Sequence, residues 1–299
     1  MASGGQGSPG GAAIASMEAL EARLSAVGQS RLAEAMSVLA HHLHQILDTI
    51  RPTQAELLAF INFMTETGHR ADARRQDWVL LADALGISSA VHDLNRQQRA
   101  GATPDTVCGP FYRPDAPDID LGQSICRDGR GEPLRVSGTV RSLSGAGIGG
   151  ALVEVWQANG EGLYENQVPD RQPEHNLRGR IRADQDGRFH FLSIKPAGYS
   201  LPVDGPVGQL LTTVGLPLER PAHINFRVSA KGFDTLTTHV FDRADPAIGR
   251  DAIFGVKPEL LADFRAEHTR EGHMAHSLDL NLVLCPSGGA QSMPGRSST

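Results

Sequence analysis

The sequence predicts a mainly β protein in which a helical N-terminal domain precedes an antiparallel β-sandwich. Apolar residues recur at three-to-four spacing up to about residue 95, which is typical of amphipathic helices. Short runs rich in β-branched and aromatic residues follow after residue 105, separated by turn pairs such as Asp128-Gly129 and Asp186-Gly187. Helices do not alternate with these runs, so the pattern does not favour a parallel sheet.

The helical domain is predicted over residues 17–105. Apolar spacing predicts a helix over Arg31–Ile50 that ends before Pro52, and a second helix that ends at Gly68. Thr53 and Glu56 have the spacing of a capping box at the start of that second helix. A third helix is predicted from about residue 73 to 85, with Gly86 as its C-terminal cap.

The β-sandwich domain is predicted over residues 106–285. Its strands are expected near 133–141, 151–157, 188–194, 222–229, 235–242 and 278–284. Small and polar residues dominate both ends of the chain, so residues 1–16 and 286–299 are expected to be disordered.

Charge and composition exclude several classes of protein. The 299 residues carry a formal net charge of -6, which argues against general binding to nucleic acid or anionic membranes. No run reaches the ~18 apolar residues that a membrane span needs. The N-terminus lacks the basic and apolar regions of a secretion signal, so we expect a cytoplasmic protein.

One predicted strand, Arg220–Val228, carries candidate chemistry. Side chains alternate across a strand, so Ile224 faces the core while His223 and Asn225 face the other way. Taken alone, His223 is compatible with a metal ligand or with a hydrogen-bonded histidine at a sheet end. Tyr164 and Tyr199 follow other predicted strands in turn-rich segments, where binding residues concentrate.

Several motifs in order resemble the intradiol ring-cleavage dioxygenases, over roughly residues 20–285. The motifs are Gly109-Pro-Phe-Tyr-Arg113, Val155-Trp-Gln-Ala-Asn159, Leu177-Arg-Gly-Arg180, Asp204-Gly-Pro-Val-Gly208 and Arg220-Pro-Ala-His223. Within the family, Leu80-Leu-Ala-Asp83 and Thr238-His-Val-Phe241 are similar to its hydroxyquinol branch. The resemblance implies a non-haem Fe(III) enzyme that cleaves hydroxyquinol (benzene-1,2,4-triol) or a related catechol with O2. It also implies a homodimer formed through the N-terminal helices, with room for a lipid at the interface.

The resemblance assigns the iron to two tyrosines and two histidines. Tyr164, Tyr199 and His223 match three of these positions, but Asn225 stands at the fourth. A neutral carboxamide is a poorer ligand than imidazole. Asn225 could bind through its oxygen, hold a water, or leave the position empty, and His239 is a conceivable substitute.

The resemblance also assigns catalytic and pocket residues. Arg220 would stabilise charge that develops on the ring, and Tyr199 would leave the metal and help to take up a proton. The predicted pocket residues are Leu80, Asp83, Val107, Cys108, Gly109, Pro110, Phe111, Leu201, Pro202 and His239. Asp83 is compatible with two interpretations: an acceptor for an extra substrate hydroxyl, or a helix-surface aspartate near Arg74 and Arg75.

Two functional hypotheses follow. In the first, the chain is an active Fe(III) dioxygenase. In the second, Asn225 makes it an iron-poor, catalytically impaired homologue that keeps the fold and binds aromatic diols.

Overall fold

A computed structural model of the chain describes residues 18–20, 22–24, 26, 30–71, 76–95, 100–268 and 272–287. The N-terminal tail and nearly all of the C-terminal tail predicted from the sequence lie outside these residues. The contacts divide the chain into two compact units, Met1–Glu66 and Thr67–Thr299. The boundary predicted near residue 105 marks the change from helices to strands, and as a domain boundary it stays a prediction.

The first helices begin where capping side chains satisfy their free backbone amides. Helix α1 spans Arg31–Ile50, as predicted, and the Ser30 hydroxyl accepts from the backbone N–H of Ala33. The predicted capping box is confirmed: the Thr53 N–H donates to the Glu56 carboxylate at 2.7 Å, and the Glu56 N–H donates to Thr53 Oγ1 at 3.2 Å. Helix α2 follows over Gln54–His69.

Three short helices belong to the second unit: α3 (Asp77–Ala84), α4 (Ile87–Asn95) and α5 (Pro206–Val214). Gly86, the predicted cap, lies between α3 and α4 at φ +70°. The predicted start of α3 at residue 73 falls outside the described residues. Helix α5 was not predicted, although it begins with Pro206 and ends at Gly215 in the left-handed region.

The strands form two main sheets and a small ribbon. The six-stranded sheet has the order β1-β4-β3-β8-β9-β10 and contains β1 (Asp118–Ile119), β4 (Arg178–Arg182), β3 (Leu152–Gln157), β8 (His223–Ser229), β9 (Leu236–Asp242) and β10 (Leu261–Ala262). The four-stranded sheet has the order β11-β12-β2-β5 and contains β11 (Arg265–His268), β12 (Met274–Leu284), β2 (Pro133–Ser142) and β5 (Arg188–Ile194). The ribbon pairs β6 (Tyr199–Ser200) with β7 (Glu219–Arg220).

The predicted class, a β-sandwich preceded by helices, is confirmed, but the sheets are not purely antiparallel. Strand β12 runs parallel to β2 along its length, and the short edge strands β1 and β10 are parallel to β4 and β9. Hydrophobic alternation predicts where strands lie and which face is buried, but it does not predict the direction of the neighbouring strand. Within the described ranges, no helix is both long and apolar enough to cross a bilayer.

The core lies between the two main sheets and receives one face of each strand. In β8, Ile224, Phe226 and Val228 are fully buried in this core, where they pack with residues of the other sheet such as Phe191 and Leu278. The alternate residues of β8 therefore emerge on the outer face of the six-stranded sheet. That outer face carries the predicted functional residues.

Candidate active site

The outer face of β3, β8 and β9 brings three of the predicted residues together. Asn225 is paired with Trp156 of β3 on one side and with His239 of β9 on the other. His223, two residues before Asn225, shares their face, and its ring centroid lies 5.0 Å from that of His239. All of these side chains are buried. The register of three adjacent strands thus assembles a cluster of ring and amide groups.

Tyr164 enters this cluster from the loop after β3. The Asn159 side chain shapes the loop by accepting from the backbone amides of residues 161 and 163, both at 2.9 Å. The Tyr164 ring is 2% exposed and stacks on Phe111, with 4.1 Å between ring centroids. Its hydroxyl oxygen accepts from Asn225 Nδ2 at 3.0 Å. Burial, and then the neighbouring Tyr199, raise the pKa of Tyr164, whereas the Asn225 hydrogen bond opposes that rise.

Tyr199 approaches from the ribbon and faces Tyr164, with 5.8 Å between ring centroids. The close approach of the two loops requires glycine at position 162. A Cβ there would lie 2.4 Å from the carbonyl oxygen of Gly198, and Gly162 has a φ of +78°. The Tyr199 ring also lies 5.7 Å from that of His223, so both tyrosines and the histidine converge.

The two ring nitrogens of His223 differ in their surroundings. Its Nδ1 is hydrogen-bonded to the Pro221 carbonyl at 2.8 Å, so Nδ1 carries the proton. Its Nε2 is buried and has no hydrogen-bond partner in the described part of the chain. Burial, and then the positive charge of Arg220, lower the pKa of His223 to about 3. The imidazole is therefore neutral at physiological pH, with a free electron pair on Nε2.

His239 and Asn225, which lie next to His223, differ in their hydrogen bonds. Nδ1 of His239 is likewise buried without a hydrogen-bond partner among the described residues, and burial lowers the pKa of this histidine well below its usual value. Asn225 instead uses its amide nitrogen twice, because Nδ2 donates to the Trp156 carbonyl at 2.8 Å as well as to Tyr164.

Arg220 borders the site and is fixed by a carboxylate that the sequence did not reveal. Its guanidinium is 5% exposed and donates through Nε to Asp251 at 3.1 Å and through Nη1 to the Tyr199 hydroxyl at 3.3 Å. A buried arginine needs such a partner. The chain has 34 acidic residues, and Asp251 lies in a loop without a recognisable motif, so sequence reasoning could not single it out.

A second buried arginine supports the other tyrosine. Arg178 is 1% exposed, donates through Nε to Glu165 at 2.7 Å, and also donates to the Phe111 carbonyl. Arg113 adds a further contact to Glu165 at 3.2 Å. Because Phe111 stacks on Tyr164 and Glu165 follows Tyr164 in the chain, this network fixes the buried phenol.

The predicted pocket residues differ from one another in burial and in their contacts. Phe111 contacts both tyrosines, and Cys108 packs against the Trp156 and Tyr164 cluster. Leu201 is buried beside the ribbon. Pro110 and Pro202 are exposed, and Leu80, Val107 and Gly109 are half-buried. Their contribution to a pocket stays a prediction.

Asp83 is buried, at 7% exposure, unlike a helix-surface aspartate. Burial raises the pKa of its carboxyl, and a hydrogen bond from Ser88 and the charge of Arg220 act in the opposite direction. Arg74 and Arg75 lie outside the described residues.

The side chains present suit a ferric ion. Tyr164 and Tyr199 offer phenol oxygens, which bind hard cations once they lose their protons. His223 and His239 each offer a buried ring nitrogen that has no hydrogen-bond partner in the described ranges. A donor set of oxygen and imidazole nitrogen is chemically appropriate for non-haem iron.

Comparison with known proteins identifies the family. A family profile described as "Dioxygenase" matches residues 107–286, and one described as "Catechol dioxygenase N terminus" matches residues 29–103. The chain belongs to the intradiol ring-cleavage dioxygenases. It is 45% identical to the hydroxyquinol 1,2-dioxygenase of Rhizobium sp. (strain MTP-10005) over 84% of this chain and 85% of that protein.

Solved structures of this dioxygenase family share the fold. The hydroxyquinol 1,2-dioxygenase of Pseudomonas putida DLL-E4 superposes with a TM-score of 0.87, at 33% identity, over 92% of this chain and 99% of that one. The catechol 1,2-dioxygenase of Acinetobacter radioresistens gives a TM-score of 0.80 at 25% identity, over 94% of this chain and 97% of that one. The chain is therefore an intradiol dioxygenase. This family uses non-haem iron. The alternative hypothesis, a catalytically impaired homologue, is not favoured.

The Arg178–Glu165 pair can be tested through stability. We expect Glu165→Gln to lower the free energy of unfolding by about 3–5 kcal/mol, because it leaves the buried guanidinium without its counter-charge. Glu174→Gln is the matched control, since Glu174 pairs with Arg113 at 73% exposure and should contribute less than about 1 kcal/mol. Equal effects of the two substitutions in denaturant unfolding would contradict the assignment.

Proposed function

We propose that this dioxygenase cleaves the ring of hydroxyquinol, or of a related catechol, between its adjacent hydroxyl groups. Both atoms of O2 enter the product, which is a dicarboxylate of the muconate or maleylacetate type. The proposal is supported by the grouping of three rings: that of Tyr199 lies 5.8 Å from Tyr164 and 5.7 Å from His223, measured between ring centroids. Nε2 of His223 is buried and has no hydrogen-bond partner among the described residues. The hydroxyquinol 1,2-dioxygenases among its relatives support the choice of substrate.

Tyr164, Tyr199 and His223 would hold Fe(III), and Asn225 stands at the fourth position. Bound Fe(III) supplies a Lewis acid for the substrate hydroxyls and accepts electron density from the ring. The other parts of the proposed reaction depend on how the protein holds the two tyrosines, Arg220 and Asp83.

The two tyrosines are suited to different tasks. Tyr164 is fully buried, stacked on Phe111 and hydrogen-bonded to Asn225, so it keeps its place. Tyr199 is half-buried on a short ribbon, and its oxygen accepts a hydrogen bond from Arg220. Its phenolate oxygen can therefore accept a proton from a substrate hydroxyl, which is general base catalysis.

Arg220 provides fixed positive charge beside the reacting ring. The Asp251 carboxylate holds its guanidinium in place, so the charge needs no rearrangement when negative charge develops on the substrate. This role remains a proposal, as do those of the other site residues.

Asp83 is the proposed determinant of specificity. Its carboxyl group is buried and lies within the electrostatic reach of Arg220, the residue that borders the ring. A third hydroxyl on the substrate would give this carboxyl group a hydrogen-bond donor, which a simple catechol lacks.

Dimerisation through the N-terminal helices is also proposed. Helices α1 and α2 expose many large apolar side chains: Leu32, Met36, Val38, Leu39, Leu43, Ile46, Leu47, Ile50, Leu57, Leu58, Phe60 and Ile61. Exposed apolar side chains in this number favour association. A second copy of the chain would cover these side chains, and an acyl chain of a lipid could fill gaps between the helices.

The cytoplasmic location expected from the sequence stays a prediction.

The proposed reaction is tested with the purified, Fe(III)-loaded chain. We expect a visible tyrosinate-to-iron absorption band and consumption of one O2 for each hydroxyquinol cleaved, followed with an oxygen electrode. A protein that is iron-loaded and coloured but inert towards hydroxyquinol and catechol would contradict the reaction. A colourless protein that takes up no iron would contradict the metal site.

Asp83 is tested by Asp83→Asn. We expect kcat/KM for hydroxyquinol to fall at least about tenfold, with a much smaller change for catechol, because only hydroxyquinol carries the third hydroxyl. Asp93→Asn is the control, since Asp93 is an exposed aspartate on α4 that pairs with Lys257. An equal loss for both substrates would show that Asp83 serves the site generally.

The oligomeric state is tested by light scattering after size exclusion. We expect twice the chain mass of 32.0 kDa for the native protein. The double substitution Leu39→Glu and Leu43→Glu should shift the mass towards the monomer, because it places charge on the exposed apolar side of α1. Leu192→Glu, at an exposed position of β5, should leave the mass unchanged.

A further inference from the structure

We propose that His239 supplies the second imidazole of the metal site, and that Asn225 serves as a hydrogen-bond donor to the Tyr164 oxygen instead of as a ligand. The inference rests on the proposed iron site of the preceding subsection. It assigns a role to each of two facing residues on adjacent strands.

The orientation of the Asn225 amide is fixed by its neighbours. The Trp156 carbonyl can only accept, and it lies 2.8 Å from Asn225 Nδ2. The same nitrogen lies 3.0 Å from the Tyr164 oxygen. An amide nitrogen has no available electron pair for a metal, so the end of Asn225 that faces Tyr164 cannot be the ligand.

Turning the Asn225 amide over would be costly. It would set the side-chain oxygen against the Trp156 carbonyl oxygen, and it would also remove the hydrogen bond to Tyr164 once that phenol has lost its proton. Asn225 is 3% exposed, so water could not readily replace the lost partners. A buried polar group that loses its hydrogen bonds in this way destabilises the fold.

His239 lies where a substitute ligand is needed. It is the direct cross-strand partner of Asn225, and side chains at such positions have Cβ atoms about 4.5–5.5 Å apart on the same face. Its ring lies 5.0 Å from that of His223. The imidazole that is missing at position 225 is thus available one strand away.

Both histidines carry a buried nitrogen with no described protein partner: Nε2 of His223 and Nδ1 of His239. An unsatisfied buried nitrogen costs free energy. A shared metal ion would satisfy both. His223 is already oriented for this role by the Pro221 carbonyl, as metal-binding histidines commonly are.

Asn225 then has a separate role as a positioning residue. Its N–H stabilises the Tyr164 phenolate, and withdrawing that hydrogen bond changes the electron density that the oxygen offers to the metal. The energy of the tyrosinate-to-iron absorption band reports this change directly.

The experiment uses the full-length chain, stripped of metal and titrated with Fe(III) alone. Iron per chain, the visible band and the rise in Tm on loading are measured for each variant. We expect His239→Gln to weaken iron binding at least about tenfold. The control is His276→Gln, which alters a buried histidine in β12 of the other sheet and should leave iron binding unchanged.

Variants at position 225 distinguish the role of metal ligand from the role of hydrogen-bond donor to Tyr164. Asn225→Leu should keep iron binding within a few-fold of the native protein while shifting the visible band. Adding Asn225→His to His239→Gln should restore iron binding, because an imidazole then returns on the neighbouring strand. Retention of iron by His239→Gln, or loss of iron by Asn225→Leu, would overturn the assignment.

A measurement on the unaltered protein covers the case in which His239→Gln does not fold. Pulsed electron paramagnetic resonance of the iron-loaded chain should detect two coordinated imidazoles. A single coordinated imidazole would overturn the role of His239 while leaving the proposed function intact. Failure of the native chain to bind any iron would instead overturn the proposed metal site itself.

Discussion

The register of β8 between β3 and β9 determines which of its side chains enter the core and which enter the site. Strand β8 places Ile224, Phe226 and Val228 in the core and His223 and Asn225 on the opposite face. A slip of one residue would exchange these two sets and bury the polar groups among apolar ones. The hydrophobic core that stabilises the sandwich therefore also fixes the position of the functional side chains.

Each tyrosine of the site has its own buried ion pair. The guanidinium carbon of Arg178 lies 5.9 Å from the Tyr164 ring centroid and is held by Glu165, and that of Arg220 lies 5.9 Å from the Tyr199 ring centroid and is held by Asp251. Such pairs add little net stability, because desolvation offsets their attraction. Here they provide fixed positive charge near groups that become negative when they lose protons.

Sequence reasoning recovered the parts of the structure that depend on local patterns. Helix α1, the Thr53 capping box and six principal strands follow from apolar spacing and turn chemistry. The family resemblance named Tyr164, Tyr199 and His223, whose rings lie close together, while their role as ligands stays a prediction. Asp251 and the parallel pairing of β12 with β2 were not predicted, because each depends on contacts between distant segments. Asn225 was recognised as a departure, but the direction of its amide depends on the Trp156 carbonyl across the strand pair.

The ribbon that carries Tyr199 should open more readily than the strands of the two main sheets. Strands β6 and β7 pair over only two residues each, whereas Tyr164 is anchored by stacking and by a buried network. Short pairings of this kind open locally at a free energy well below that of global unfolding. Amide hydrogens in the ribbon should therefore exchange with solvent through local opening, while those of β8 are released only when the whole sandwich unfolds. We therefore expect Tyr199 to move more readily than Tyr164.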